Sequence, residues 1–160
     1  MDGLHHRTPG IVAAAMDADA SVELICDGLH IHPAAVRLAF SMFGGERMII
    51  VSDSGRCAGQ PEGYQFDLGG QMAEIRGGVA KLVGTDTIAC SASNLWACLC
   101  NTISWGIPEE EAVRAATFNP AKAIGADAVV GTIEEGKVAD FLVVAPGYTS
   151  KRVFLAGKEI

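Results

Sequence analysis

Basic residues are scarce in this sequence: 12 lysines and arginines stand against 19 aspartates and glutamates, a formal net charge of -7 over 160 residues. That balance argues against a nucleic-acid footprint, which needs a basic patch or stripe. Long hydrophobic runs are also missing, and none reaches the roughly 18 apolar residues that would mark a bilayer span. Met1 is followed by Asp2 and then by His5, His6 and Arg7, so the basic-then-apolar order of a secretory signal is absent. The expectation is a soluble, cytoplasmic protein with neither nucleic acid nor membrane as partner. The five cysteines are odd in number and form no C-x-x-C pair, which disfavours a disulfide framework or a cysteine metal cluster and suits reduced thiols. There are no repeats or low-complexity segments. What remains, 49% hydrophobic, 19% charged and 6% aromatic, is the composition of one ordinary globular core.

The pattern along the chain predicts α/β architecture. Residues 11–16 are alanine-rich and follow Pro9, as at a helix start. "VELIC", ended by Asp27-Gly28, reads as a buried strand. In "HPAAVRLAFSMFGG", Val36, Phe40 and Phe43 fall at helical spacing before a Gly44-Gly45 stop, and "ERMIIVSD" is a second buried strand. Two such strands joined through a helix form a parallel unit, because a parallel connection needs a crossover of about a dozen residues. Asp27 through His30 and Asp53 therefore belong at the C-terminal ends of neighbouring parallel strands, where function usually lives in α/β folds. Between Ser54 and Ile88 lie eight glycines, with alternation that predicts an antiparallel hairpin at about residues 63–83 inside a long loop. Leu95, Cys98, Leu99, Thr102 and Ile103 share one face of a helix broken at Gly106-Ile107-Pro108. "PEEEAVRAATFNPAKAIG" reads as a helix opened by three glutamates and closed at Gly125, and the tail reads as a separate small β element with a turn at Ala156-Gly157.

"DGLHIHP" at residues 27–33 poses the question of a metal site. His30 and His32, two apart on an extended segment, face the same way and could both ligate a metal on that geometry alone. An aspartate that ends a strand, as Asp53 does, is by itself most often a turn residue.

"HHRTPG", "DGLHIHP", "VSDS", "TIACSAS", "AVRAATFNPAKAIG" and "GTIEEGKVADFLVV" occur here in that order, and together they resemble the N-acetylglucosamine-6-phosphate deacetylase family of the amidohydrolase superfamily. The last motif says only superfamily; "HHRTPG" with "DGLH" and the strand-terminal aspartate carries the deacetylase. The resemblance implies the C-terminal part of a (β/α)8 TIM-type barrel, strands seven and eight, over residues 1–125, with residues 126–160 forming part of a small β-sandwich domain. It implies a divalent metal of zinc or iron type whose ligands, a glutamate and two histidines, would lie upstream of residue 1. Met1 would then be the last methionine of H-x-x-N-A-M. Asp53 offers the one contact with that metal expected from these residues.

The family likeness also implies roles. Asp53 matches the aspartate that acts as general base and then general acid, work for which a carboxylate beside an activated water is suited. His30 matches a substrate contact near the scissile amide, and His32 opens the helix. Arg7 matches the arginine that pairs with the sugar phosphate, where a planar fork grips two oxygens. His6 is expected as a secondary phosphate or dimer-interface contact, and no separate role is assigned to His5. Cys90 stands where the family usually has glycine, and Ser54 where alanine is frequent. Cys57 has no paired base, so a thiol nucleophile is not expected. The expected reaction, for the intact enzyme, is hydrolysis of N-acetylglucosamine 6-phosphate to acetate and glucosamine 6-phosphate; the fragment alone is expected to be inactive. Expected partners are the sugar phosphate, the missing N-terminal part of the same protein and further copies in a homo-oligomer. Two alternatives are a non-catalytic truncated module and another amidohydrolase, such as a dihydroorotase or imidase relative. The sequence upstream of Met1 separates them.

Overall fold

A computed structural model describes residues 3–160. Met1, the expected end of H-x-x-N-A-M, lies outside the described residues. The first layer is built around two parallel strands, β1 (Val22–Ile25) and β2 (Met48–Val51), in register from Val22 opposite Met48 to Ile25 opposite Val51. Helix α1 (Gly10–Asp17) precedes them, and α2 (Pro33–Phe43) makes the crossover between them. The α2 start is fixed twice over: His32 caps it by accepting from the Ala34 N–H at 3.1 Å, and Pro33 occupies the first turn. Val36, Phe40 and Phe43 are buried as their spacing predicts. Each such side chain contributes roughly 1.5–3 kcal/mol against exposure. Arg47 then ties α1 to β2. Its guanidinium donates to the carbonyls of Ala20 at 2.9 Å and Ala15 at 2.6 Å, at the negative end of the α1 dipole.

The segment after β2 departs from the expected single hairpin. Three strands, β3 (Gln65–Leu68), β4 (Gln71–Arg76) and β5 (Val79–Leu82), form a meander, and a fourth, β6 (Ile88–Ser91), pairs antiparallel with β5. Both hairpins turn on Gly-Gly pairs, 69–70 and 77–78, all four residues at positive φ, which is the geometry a two-residue turn between twisted strands requires. This sheet covers its own small core of Cys57, Phe66, Ala73, Ile75, Ala80 and Cys90. Its last strand returns to the first layer, where Ser91 bridges Ser54 in parallel just beyond the end of β2.

Helix α3 (Leu95–Ser104) is capped by the Asn94 side chain and buries Cys98, Leu99 and Thr102 against β2. Leu95, expected on the same face, is instead 40% exposed at the first turn. The single helix expected over 108–125 is two: α4 (Glu109–Ala116) and α5 (Phe118–Ala123), separated at Thr117. Pro120 is the physical reason. It has no N–H to give the Ala116 carbonyl four residues back, and its ring would collide with that carbonyl. The break lets buried Asn119 turn inward and donate to the carbonyls of Gly45 and Met48, both at 2.7 Å, fastening α5 to the entry of β2. The tail forms an antiparallel sheet of β7 (Phe141–Val144), β8 (Lys151–Leu155) and β9 (Lys158–Glu159), with the β8–β9 turn at Ala156-Gly157. Among the described residues no helix is long and apolar enough to cross a membrane.

Candidate active site

The C-terminal ends of β1 and β2 bring the candidate residues Asp27, His30 and Asp53 together. β1 runs into Cys26, whose carbonyl accepts from the Asn101 side chain of α3 at 3.2 Å, and the next residue, Asp27, starts a tight loop. Gly28 takes φ +81° there, and a Cβ would stand 3.3 Å from the Trp105 ring, so both the backbone conformation and the space favour glycine. The loop is organised around the Asp27 carboxylate, whose side chain is 1% exposed. Oδ1 accepts the N–H groups of Leu29 and His30, each at 2.9 Å. Oδ2 accepts from His30 Nδ1 at 2.8 Å and from the Ser91 hydroxyl at 3.0 Å. Burial pushes the Asp27 pKa upward, but the hydrogen bonds from the two backbone amides, His30 and Ser91 outweigh it and hold the carboxyl below its usual value.

His30 therefore faces two carboxylates. Nδ1 is engaged by Asp27, while Nε2 stands 3.9 Å from Oδ2 of Asp53. That second separation is too long for a hydrogen bond and is a gap that one bridging oxygen spans. Asp53 is 48% exposed in its side chain and sits at φ +48°, a left-handed conformation that aspartate tolerates better than most residues. Its backbone carbonyl accepts the Ser91 N–H at 2.9 Å, and the Gly55 N–H returns to the Ser91 carbonyl at 3.1 Å. Ser54 adds a hydroxyl bond to the Ser93 carbonyl at 2.6 Å. The buried carboxylate, the imidazole and the exposed carboxylate thus form one array on two strand ends and β6.

His6 and Arg7 form a separate pair. Arg7 Nη1 lies 3.0 Å from His6 Nε2, the rings of His5 and His6 are 4.4 Å apart, and the Arg7 N–H donates to His5 Nδ1 at 3.3 Å. Among the described residues no hydrogen bond or ion pair joins this cluster to His30 or Asp53. His32 points elsewhere, into its capping bond, so the two histidines of "HIH" do not act together. Nor do three His, Cys, Asp or Glu side chains gather anywhere among the described residues in a way that could hold a metal ion, and a catalytic zinc-type site needs about three protein ligands. Cys90 and Cys57 are buried with their sulfurs 3.7 Å apart behind the Asp53 loop. Burial first, then the neighbouring Cys57, pushes the Cys90 thiol up to about 11, far from a nucleophile's range. Asp27 and Ser91 were given no role by sequence reasoning. "DG" after a strand reads as a turn, and a serine 64 residues away gives no signal of its partner.

The profile of the Amidohydrolase family matches residues 72–160. A protein of Escherichia coli (strain K12), provisionally named as an N-acetylgalactosamine-6-phosphate deacetylase, is 34% identical over 99% of this chain and 94% of its own length. This chain belongs to the amidohydrolase family. The N-acetylglucosamine-6-phosphate deacetylase of Vibrio furnissii is 33% identical over 99% of this chain and 39% of its own length. Among solved structures, a mutant N-acetyl-D-glucosamine-6-phosphate deacetylase of Mycobacterium smegmatis, in complex with N-acetyl-D-glucosamine-6-phosphate, superposes with a TM-score of 0.91 at 30% identity, over 99% of this chain and 42% of that one. The Thermotoga maritima deacetylase gives 0.89 at 27% identity, over 99% and 43%. This amidohydrolase chain thus spans about two fifths of those longer relatives and nearly all of the short Escherichia coli one.

Proposed function

We propose that this amidohydrolase chain forms the strand-seven and strand-eight side of a (β/α)8 barrel, about residues 1–125, together with part of a small β domain, residues 126–160. In the complete enzyme it serves to hydrolyse the acetamide of N-acetylglucosamine 6-phosphate to acetate and glucosamine 6-phosphate, in the cytoplasm and as a homo-oligomer. The observation that carries this reading is the array at the strand ends, with His30 Nδ1 on buried Asp27 and Nε2 facing exposed Asp53 at 3.9 Å. Its likeness to named deacetylases supports the substrate class.

Each side chain has a task. Asp53, half exposed just beyond β2, takes the proton of the attacking water and delivers it to the departing amine, so that the new C–O bond is made, the C–N bond breaks and the proton count closes. His30 contacts the substrate beside the scissile amide through Nε2, an acceptor in the neutral ring when Nδ1 donates to Asp27. Arg7, seconded by His6, receives the 6-phosphate. A divalent metal of zinc or iron type belongs to the proposal, with its ligands outside these residues.

Replacing Asp53 by Asn in the complete enzyme tests the assignment. The expected loss in kcat is on the order of 10²–10⁴-fold, the range for a positioned acid-base group, with metal content unchanged. Near-normal kcat would remove Asp53 from the mechanism. A second reading, N-acetylgalactosamine 6-phosphate as the preferred substrate, is favoured by the names of two Escherichia coli relatives, each 34% identical to this chain. Comparing kcat/KM for the two epimers decides between them.

A further inference from the structure

We propose that Asp27 is a positioning residue for His30, keeping the imidazole proton on Nδ1 so that Nε2 is the nitrogen offered to the reaction, and that Ser91 completes the clamp. The proposal deepens the deacetylase reading and rests on it for the role of His30. Its basis is the number and kind of donors that converge on one carboxylate. A turn after a strand needs only one side-chain oxygen, and Oδ1 of Asp27 already serves that purpose by accepting two backbone N–H groups at 2.9 Å. An asparagine would do this equally well.

Oδ2 is the oxygen a turn does not explain. It accepts from His30 Nδ1 at 2.8 Å and from Ser91 Oγ at 3.0 Å, the latter a residue 64 positions away and fully buried. The Ser91 hydroxyl has its acceptor side occupied by the Ser93 N–H at 3.0 Å, which leaves its own hydrogen for Asp27. An ionised carboxylate takes donors on both oxygens, whereas an amide has one oxygen and one NH2. With four donors arranged around it, Asp27 can only be an acceptor, and His30 Nδ1 can only be a donor. In the neutral ring Nε2 is then without a proton on the side facing Asp53. When Nε2 gains a proton, it becomes a donor toward the substrate with the Asp27 charge behind the ring, the division of labour known from carboxylate-oriented histidines.

Asp27→Asn turns this into an experiment with a direction. The two backbone N–H groups fix the amide oxygen at the Oδ1 position, so the NH2 must point at His30 and Ser91. Nδ1 of His30 must then accept, and the proton moves to Nε2. The complete enzyme, labelled with 15N in its histidine rings, reports the tautomer by NMR, with the His30 signals identified by their loss in His30→Gln. The wild type is expected to carry the proton on Nδ1 and Asp27→Asn to carry it on Nε2, with kcat lowered on the order of 10²–10⁴-fold and KM little changed. Ser91→Ala is expected to keep the Nδ1 tautomer, because His30 retains Oδ2, and to lower kcat roughly three- to tenfold, a fraction of the worth of a hydrogen bond to a charged group because Ser91 acts only through Asp27. A wild-type ring protonated on Nε2, or an Asp27→Asn ring still protonated on Nδ1, overturns the proposal. Should Asp27→Asn fail to fold, the wild-type spectrum and Ser91→Ala decide. Normal kcat in His30→Gln beside the expected spectra would instead overturn the functional reading, and the catalytic meaning of the clamp with it.

Discussion

Gly55→Ala tests how tightly Asp53, the proposed acid-base group, is braced. Gly55 lies two residues beyond Asp53, and a Cβ built on it would stand 2.3 Å from Cys90 Sγ, 3.3 Å from Cys90 Cβ and 3.6 Å from Cys57 Sγ. Contacts between heavy atoms are optimal near 3.5–4.0 Å, so the first of these cannot persist. Turning the Cys90 thiol away does not remove the problem, because its Cβ remains close and the surrounding core of Phe66, Ala73, Ile75 and Ala80 is filled. Shifting residue 55 strains the Gly55 N–H bond to the Ser91 carbonyl. Overpacking of this kind costs about 1–3 kcal/mol. On the role proposed for Asp53, a shift passed back to it costs activity as well, since a displacement of about 1 Å at a reacting group can lower the rate on the order of 10²-fold. The obstacle is one side chain, so Cys90→Gly, which restores the residue usual in the deacetylases that the sequence resembles, should remove it. A double-mutant cycle by urea unfolding and kcat is the assay. Gly55→Ala should be harmful alone and nearly neutral beside Cys90→Gly, with a coupling of at least about 1 kcal/mol. Equal effects of Gly55→Ala in both backgrounds would refute the reasoning.

Arg7→Ala in the complete enzyme should lower kcat/KM for the 6-phosphorylated substrate roughly ten- to a hundredfold, the worth of a lost charge-assisted hydrogen bond, and leave unphosphorylated N-acetylglucosamine nearly unaffected; equal losses would make Arg7 structural. Asp27 has a lowered folded-state pKa, so its contribution to stability is fully present above the unfolded value of about 3.9 and lost as pH falls through the folded one. Urea midpoints measured over the acid range should therefore fall less steeply below about pH 4 in Asp27→Asn than in the wild type, and parallel curves would contradict the pKa direction. These 160 residues alone should self-associate: among the described residues β1 and β2 form a sheet of two strands, and Ile133, Leu142, Val143 and Leu155 are 86%, 43%, 46% and 55% exposed. Light scattering should give a mass that rises with concentration, and a constant monomer mass over a wide range would count against it.

The parts of the fold that sequence reasoning reached are those written locally. The Val36, Phe40 and Phe43 spacing specifies α2, the β-branched run of β2 needs no partner to be recognised, and Ala156-Gly157 marks its own turn. Pro120 was equally legible, because its clash falls on the residue four positions earlier, yet the continuous alanine-rich pattern around it reads as one helix. β6 was harder. "IACS" has neither alternation nor length, and it becomes a strand only because β5 and the end of β2 both offer it backbone partners. The site divides in the same way. Asp53 and His30 become candidates from strand ends and family likeness, whereas Asp27 and Ser91 are joined by a side-chain bond across 64 residues that no local pattern announces.

That long-range bond also explains why the excursion between Asp53 and Ser91 has to be an ordered sheet rather than a loop. Asp53 holds a left-handed backbone conformation, which is retained only when its surroundings over-determine it. Ser91 supplies much of that constraint through the backbone: its N–H holds the Asp53 carbonyl, and its carbonyl holds the Gly55 N–H. The same residue, through its hydroxyl, holds Oδ2 of Asp27. One buried serine at the end of β6 therefore sets the positions of both carboxylates that flank His30. For it to do so, β6 must arrive in fixed register, and the β3–β4–β5 meander packed on Cys57 and Cys90 is what fixes it. The two roles of Ser91 are separable. Ser91→Ala deletes the hydroxyl bond to Asp27 and leaves the backbone brace on Asp53 intact, while a proline at position 91 would remove the N–H that holds Asp53 as well. A mild effect from alanine and a severe one from proline is the order this arrangement requires.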